Sequence, residues 1–265
     1  MSKTQKELAY LRDLSITKDW TERFTHLADK HFQKPKKGKF LYFNAGTLSH
    51  ALELREKLKK DVELTAVFES KELQMISEAK AKVIKADIKF SKLDKLESES
   101  FDEVLADLTF VRPDKLSEVL DEIIFLTKKG GKVYFFLPTA GSFGEIFSYL
   151  WETFLDINLV EKGGEIERLL TEVATVSQVE ELAADAGLKD VLSETGKEVF
   201  EYDSGKDFIT STLVVDFLFP QWLDFLSDKE RKQALKKLAQ IIDDEHEKLT
   251  YQFSVKATFV SGEKS

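Results

Sequence analysis

The sequence predicts an α/β chain built on a doubly wound, mostly parallel sheet, and three observations carry that expectation. Between residues 40 and 137 short apolar runs alternate with amphipathic stretches, the βα grammar of an open sheet covered by helices. The apolar runs are mostly continuous rather than alternating, as in strands buried on both faces. Turn residues punctuate the alternation, with Gly46 after the first run and Gly130 before the fifth.

Two helical patterns open the chain, over about 4–14 and 18–32. The second carries Trp20, Phe24, Leu27 and Phe32 on one face. Strands are expected at 40–44, 63–68, 82–87, 103–108 and 132–137, separated by helices at 48–60, 70–80 and 114–127. "KKGG" closes the last of these helices: Lys128 and Lys129 complement its negative end, and Gly130 is free to turn left-handed. After residue 137 the pattern changes. An aromatic-rich helix spans 141–159, and a helix from 177 is closed by Gly187 and followed by a strand that runs through "KEVFEY". Two helical stretches follow, about 206–225 and 227–248, the second opened by a Ser227/Glu230 capping box. "YQFSVKATFVSG", 251–262, alternates as a strand. No repeat, low-complexity tract or long linker appears. The organisation expected is N-terminal helices over 1–38, a core over 39–202, a helical cap inserted at 203–248, and a final strand and tail over 249–265.

Composition narrows function. The 265 residues are 42% hydrophobic and 33% charged, enough for one sizeable core, and the net charge is -9. An acidic chain is repelled by phosphate backbones, so no nucleic-acid partner is expected; "KPKKGK", 34–39, reads as a solvated connector. With no cysteine there is no thiolate metal site, disulfide or thiol nucleophile. The most apolar stretch, 208–226, is interrupted by Asp216, Pro220 and Asp224, so no membrane span is expected. The polar start suggests no signal peptide, and the expected setting is cytoplasmic.

The stretch "SFDEVLADLTFVRPDKLSEVLDEIIFLTKKGGKVYFFLP", 100–138, together with "GSFGEIFSYLWE" and "VEELAADAGLKDV", resembles class I S-adenosylmethionine-dependent methyltransferases of the small-molecule type. The resemblance spans roughly 18–200 and the final strand. It implies a Rossmann-like seven-stranded sheet with the last strand inserted antiparallel. It also implies S-adenosylmethionine as cofactor, bound weakly or lost, and a small-molecule acceptor; a homodimer is compatible with it.

In that family the loop after the first strand reads D-x-G-x-G-x-G. Laid on it, Tyr42 replaces the acid, Asn44 the first glycine and Leu48 the third, while Gly46 and Thr47 remain. Asn tolerates positive φ, so Asn44 preserves the turn. Leu48 puts a side chain where the cofactor's methionine part approaches. Phe68 takes the position of the ribose-binding acid and Glu69 follows it; Asp87 takes that of an acid near the adenine amino group; Asp107 aligns with the residue at the end of strand four that lines the methyl-transfer chamber. The cofactor residues the resemblance implies are therefore Asn44, Gly46, Thr47, Glu69, Asp87 and Asp107.

Plainer readings stand beside these. Asp87 and Asp107 also suit strand ends, and His50 suits an exposed helix turn. "DDEHE", 243–247, suits a solvated helix face rather than a metal site, and none is expected. His26 and His31 suggest nothing sharper. Phe143, Phe147, Trp151 and Phe154, with Phe208, Phe217, Phe219, Trp222 and Phe225 in the cap, suit core packing or an apolar acceptor chamber. No residue is singled out as a base. The leading expectation is methyl transfer to a small, partly apolar acceptor. The alternatives are a catalytically silent interaction or assembly module on the same fold, and a different nucleotide-like ligand in the altered loop.

Overall fold

A computed structural model describes residues 3–246 and 249–265. Glu247, the last residue of the acidic run, and residue 248 of the expected cap lie outside them. Helix α1, Gln5–Leu11, starts at Thr4, whose hydroxyl accepts from the Glu7 amide while Glu7 accepts from the Thr4 amide. No break follows at 15–17. Residues Arg12–Thr21 continue as wide π-helical turns into α2, Glu22–His31. The Thr17 hydroxyl donates to the Arg12 carbonyl five residues back, the reach of a π turn.

The strands are β1 Gly38–Phe43, β2 Val62–Ala66, β3 Lys89–Phe90, β4 Phe101–Asp107, β5 Thr127–Thr139, β6 Leu188–Tyr202 and β7 Tyr251–Lys264. They form one sheet in the order β3-β2-β1-β4-β5-β7-β6. β1 pairs in parallel with β2 and β4, β2 with β3, and β4 with β5. β7 runs the other way: Lys264 reaches the Thr127 carbonyl while Lys256 faces Thr139. It is antiparallel to β6 as well, with Ser265 bonded to Gly187 and Gln252 to Glu201. The expected final antiparallel strand is therefore present.

Helices α3 Ser49–Lys57, α4 Lys71–Ile84, α5 Leu116–Leu126 and α8 Val176–Asp185 join the strands of the first compact unit, residues 1–137, 176–196 and 257–265. Its core is Phe40, Leu41, Val104, Leu105, Ala106, Val133, Phe135 and Phe136, all buried, with Phe24 stacked 6.4 Å from Phe136. Phe24, Trp20 and Ile16 share the inward face of the helical N-terminal segment.

Two expectations are corrected here. The strand at 82–87 is instead the end of α4 and the turn after it. Ala79 and Ala81 favour helix, Ser77 and Ala81 are buried on its packed face, and Lys85 ends it at φ 55°. The short β3 comes only after that turn. "KKGG" does not cap α5, which stops at Leu126. Lys128 pairs with Asp102, and Gly130, at φ 73°, turns within the extended segment. A β-carbon on Gly131 would lie 2.8 Å from the Asp102 carbonyl oxygen, so glycine permits the register shift between β4 and β5 at Phe101 and Glu103.

The second compact unit, residues 138–175 and 197–256, is wider than the expected cap. It contains α6 Gly144–Asp156, α7 Gly163–Glu172, α9 Gly205–Thr210, a π turn over Leu213–Leu218, α10 Phe219–Trp222 and α11 Asp228–His246. Helix α7 was not foreseen from the sequence. Trp222 wedges edge-on between Phe143 and Phe147, with ring centres 4.8 and 4.9 Å away. Phe154 meets Phe225; of the cap aromatics Phe208 and Phe219 are buried, while Phe217, Trp222 and Phe225 are half-buried. Ser227 and Glu230 form the expected capping box. Among the described residues no helix is long and apolar enough to cross a membrane.

Candidate cofactor site

The loop after β1 keeps a tight turn with Gly46 as its single glycine. Asn44, Gly46 and Leu48 all take left-handed angles, with φ of 55°, 55° and 70°. Asn44 does so at small cost; Leu48 stores strain of about 1–2 kcal/mol. Burial holds Leu48 there, since its side chain is fully enclosed and its amide donates to the Ala45 carbonyl. The Ala45 amide in turn donates to Val67, tying the loop to the end of β2.

Tyr42, in place of the family's acid, points into a buried chain. Its hydroxyl lies 2.8 Å from His50 Nδ1, and His50 Nε2 lies 3.4 Å from Asp29, which Lys57 also binds. The chain is satisfied when His50 Nδ1 accepts from tyrosine and Nε2 donates to the carboxylate. The His50 bond, then Lys57, holds the Asp29 carboxyl well below the usual range, against its partial burial. Burial above all, then the charge of Asp107, raises the Tyr42 phenol. His50 is thus buried, not an exposed helix residue, and its Nε2 faces the Asp29 carboxylate.

The decisive residue is Arg12. Its guanidinium pairs with Glu69 at 2.7 Å and lies 3.9 Å from Asp107. One face is 5.0 Å from the centre of the Phe110 ring, a cation–π distance. The group also lies over Gly46, where a β-carbon would come within 3.5 Å of Nη2. Burial opposes its charge, but Glu69 and then Asp107 outweigh that and raise its pKa. Burial raises the Asp107 carboxyl despite the pull of Arg12, while its other oxygen accepts from the Thr109 amide and hydroxyl.

Thr47 completes the arrangement. Its hydroxyl meets that of Thr17 at 2.9 Å, and because Thr17 already donates to Arg12, Thr47 is the donor. The Thr47 carbonyl and Ser49 accept from Lys80, which also pairs with Asp13. Gly46, Glu69 and Asp107 therefore meet at Arg12, Thr47 joins them through Thr17, and Asn44 lies in the same loop. Asp87 does not join them: it is exposed and precedes β3, at the end of that strand away from its carboxyl terminus. Arg12 escaped the sequence reading, yet a signal was there. Arg12, Ile16, Trp20 and Phe24 recur every four residues, which puts a charge in line with a buried face.

The sheet order with its antiparallel β7 gives a fold shared with solved S-adenosylmethionine-dependent methyltransferases. The structure is similar to the YcgJ protein of Bacillus subtilis, with a TM-score of 0.57 and 14% identity over 92% of this chain and 98% of that one. It is also similar to phosphoethanolamine N-methyltransferase 2 of Haemonchus contortus, solved with phosphomonomethylethanolamine and S-adenosylhomocysteine; the TM-score is 0.55 and identity 13%, over 98% of this chain and 58% of that one. The cyclase SpnF shares the fold too, with a TM-score of 0.50 and 14% identity over 92% and 80% of the two chains. No known family's sequence profile and no curated protein sequence matches the chain.

Proposed function

We propose that the chain transfers a methyl group from S-adenosylmethionine to a small, partly apolar acceptor. The observation that supports this best is the loop itself: three left-handed residues keep the turn after β1, and the carboxylates of Glu69 and Asp107 converge on the Arg12 guanidinium that lies over Gly46. That set fits a nucleoside cofactor once Arg12 is set aside. When bound, the cofactor supplies an electrophilic methyl group on sulfur. Glu69 would accept from ribose hydroxyls, Gly46 and Thr47 would offer backbone to the methionine part, and Asp107 would line the chamber. Direct displacement needs alignment and exclusion of water more than a dedicated base. The acceptor would supply the lone pair for the new bond and lose its proton to solvent, in a chamber lined by Asp107.

Tyr42 in the acid's place removes a charge-assisted contact worth about 1.5–3 kcal/mol, or about one to two powers of ten in affinity. Weak cofactor binding is thus expected. A second reading, a silent scaffold, is favoured by the guanidinium lying on the loop. Calorimetric titration with S-adenosylmethionine and S-adenosylhomocysteine separates the two. Saturable heat with both ligands is expected; no heat with either would leave only the scaffold.

A further inference from the structure

Resting on that methyl-transfer reading, we propose that Arg12 is an internal competitor for the cofactor. The chain's own guanidinium holds the carboxylates and loop face that the nucleoside would take, and the cofactor enters only when the segment 5–21 lifts.

Position makes the first argument. Arg12 touches Glu69, Asp107 and the face of Gly46, which are the ribose-side acid, the chamber acid and the exposed loop backbone. A guanidinium serving only as a structural counter-ion needs the carboxylates but not the glycine. Charge makes the second. A ligand carrying a sulfonium and an ammonium cannot share these acids with a guanidinium at contact distance, because like charges there repel in a poorly solvated space. Exchange is balanced by contrast: ribose hydroxyls replace the guanidinium on Glu69, and the sulfonium replaces it beside Asp107.

The segment is also fastened to the loop it blocks. Thr17 bonds Thr47, and Asp13 holds Lys80, which itself binds the Thr47 carbonyl at 3.1 Å and Ser49 at 3.2 Å. These ties are polar and exchangeable with water, whereas Ile16 and Trp20, buried on the inward face of the same segment, must leave the core as it lifts, which keeps the open state rare. Residues 12–21 are π-helical, a form found in short stretches at functional sites. Closure that leaves the open state about 1% populated lowers apparent affinity about 100-fold.

The test uses the full chain, with S-adenosylmethionine as probe, in calorimetry and hydrogen exchange. Arg12→Ala is expected to bind at least about tenfold tighter than wild type, and Asp13→Asn, which frees Lys80 and leaves Arg12 in place, to fall between them. In the wild type, saturating ligand should speed exchange of amides 8–21. Equal or weaker binding by Arg12→Ala, or ligand-induced protection of 8–21, overturns the competitor and leaves methyl transfer standing. No heat from any of the three proteins overturns both. Should Arg12→Ala fail to fold, Asp13→Asn decides: tighter binding supports the competitor, and unchanged binding refutes it.

Discussion

Glu103 should set a pH dependence of stability that its amide would erase. The residue lies on β4 opposite Lys132 in the register, and its Oε2 is buried without a hydrogen-bond partner. Burial pushes its carboxyl up to about 7 from 4.5, only partly countered by Lys132. Between those two values the folded protein keeps a proton that the unfolded chain releases, so stability falls as pH rises through that window and stays low above it. The full shift corresponds to about 3 kcal/mol, which partial exposure reduces to about 1–2 kcal/mol. Glu103→Gln keeps the shape without the charge. At pH 8 it should melt about 2–8 °C higher than wild type, and at pH 4 the two should coincide. Melting curves by circular dichroism across pH 4–8 measure this directly. A variant that melts lower at pH 8, or that keeps the wild-type slope, would refute the account of Glu103 as a buried, unpaired acid.

Other substitutions test other parts of the structure. Tyr42→Phe removes the His50 partner in a buried chain and should cost about 1–3 kcal/mol in urea unfolding. Leu48→Gly relieves about 1–2 kcal/mol of left-handed strain but empties a buried site worth about 2–5 kcal/mol, so chemical denaturation should show a net loss. A methyl at Gly205 would overlap the Ala239 carbonyl oxygen where α9 crosses α11, so Gly205→Ala should strip protection from the α11 amides in hydrogen exchange. His50→Ala removes the main group holding Asp29 low, so NMR titration should find the Asp29 carboxyl titrating at a higher pH than in wild type.

Legibility in the sequence followed the range of the forces involved. Buried strands announce themselves as apolar runs, so β1, β2 and β4 were readable to within two residues, and β5 only from residue 132 onward. The loop's turn was readable too, because Asn44 and Gly46 tolerate positive φ as single residues. Leu48 shows the limit: nothing local predicts a leucine at φ 70°, since enclosure by distant residues imposes it. The strand misplaced at 82–87 failed for a related reason. Val83 and Ile84 suggest a strand, yet both are exposed on α4, whose other face does the packing. Asp87 was lost with that strand. Arg12 meets partners 57 and 95 positions away, and no window of sequence holds such a pairing.

The place of β7 in the sheet bears on how the chain folds as it is made. Strand β7 is synthesised last of the seven, yet it lies between β5 and β6. Until it emerges from the ribosome, β5 and β6 each present an open row of amides and carbonyls, and β6 alone is 15 residues long. A nascent chain halted before residue 251 therefore carries two unpaired edges ready to take a strand from a neighbouring molecule. Charged residues along β6, among them Lys189, Glu194, Lys197 and Glu198, discourage such pairing during that interval. Truncation inside β7 would make the interval permanent, and the product should collect in the insoluble fraction.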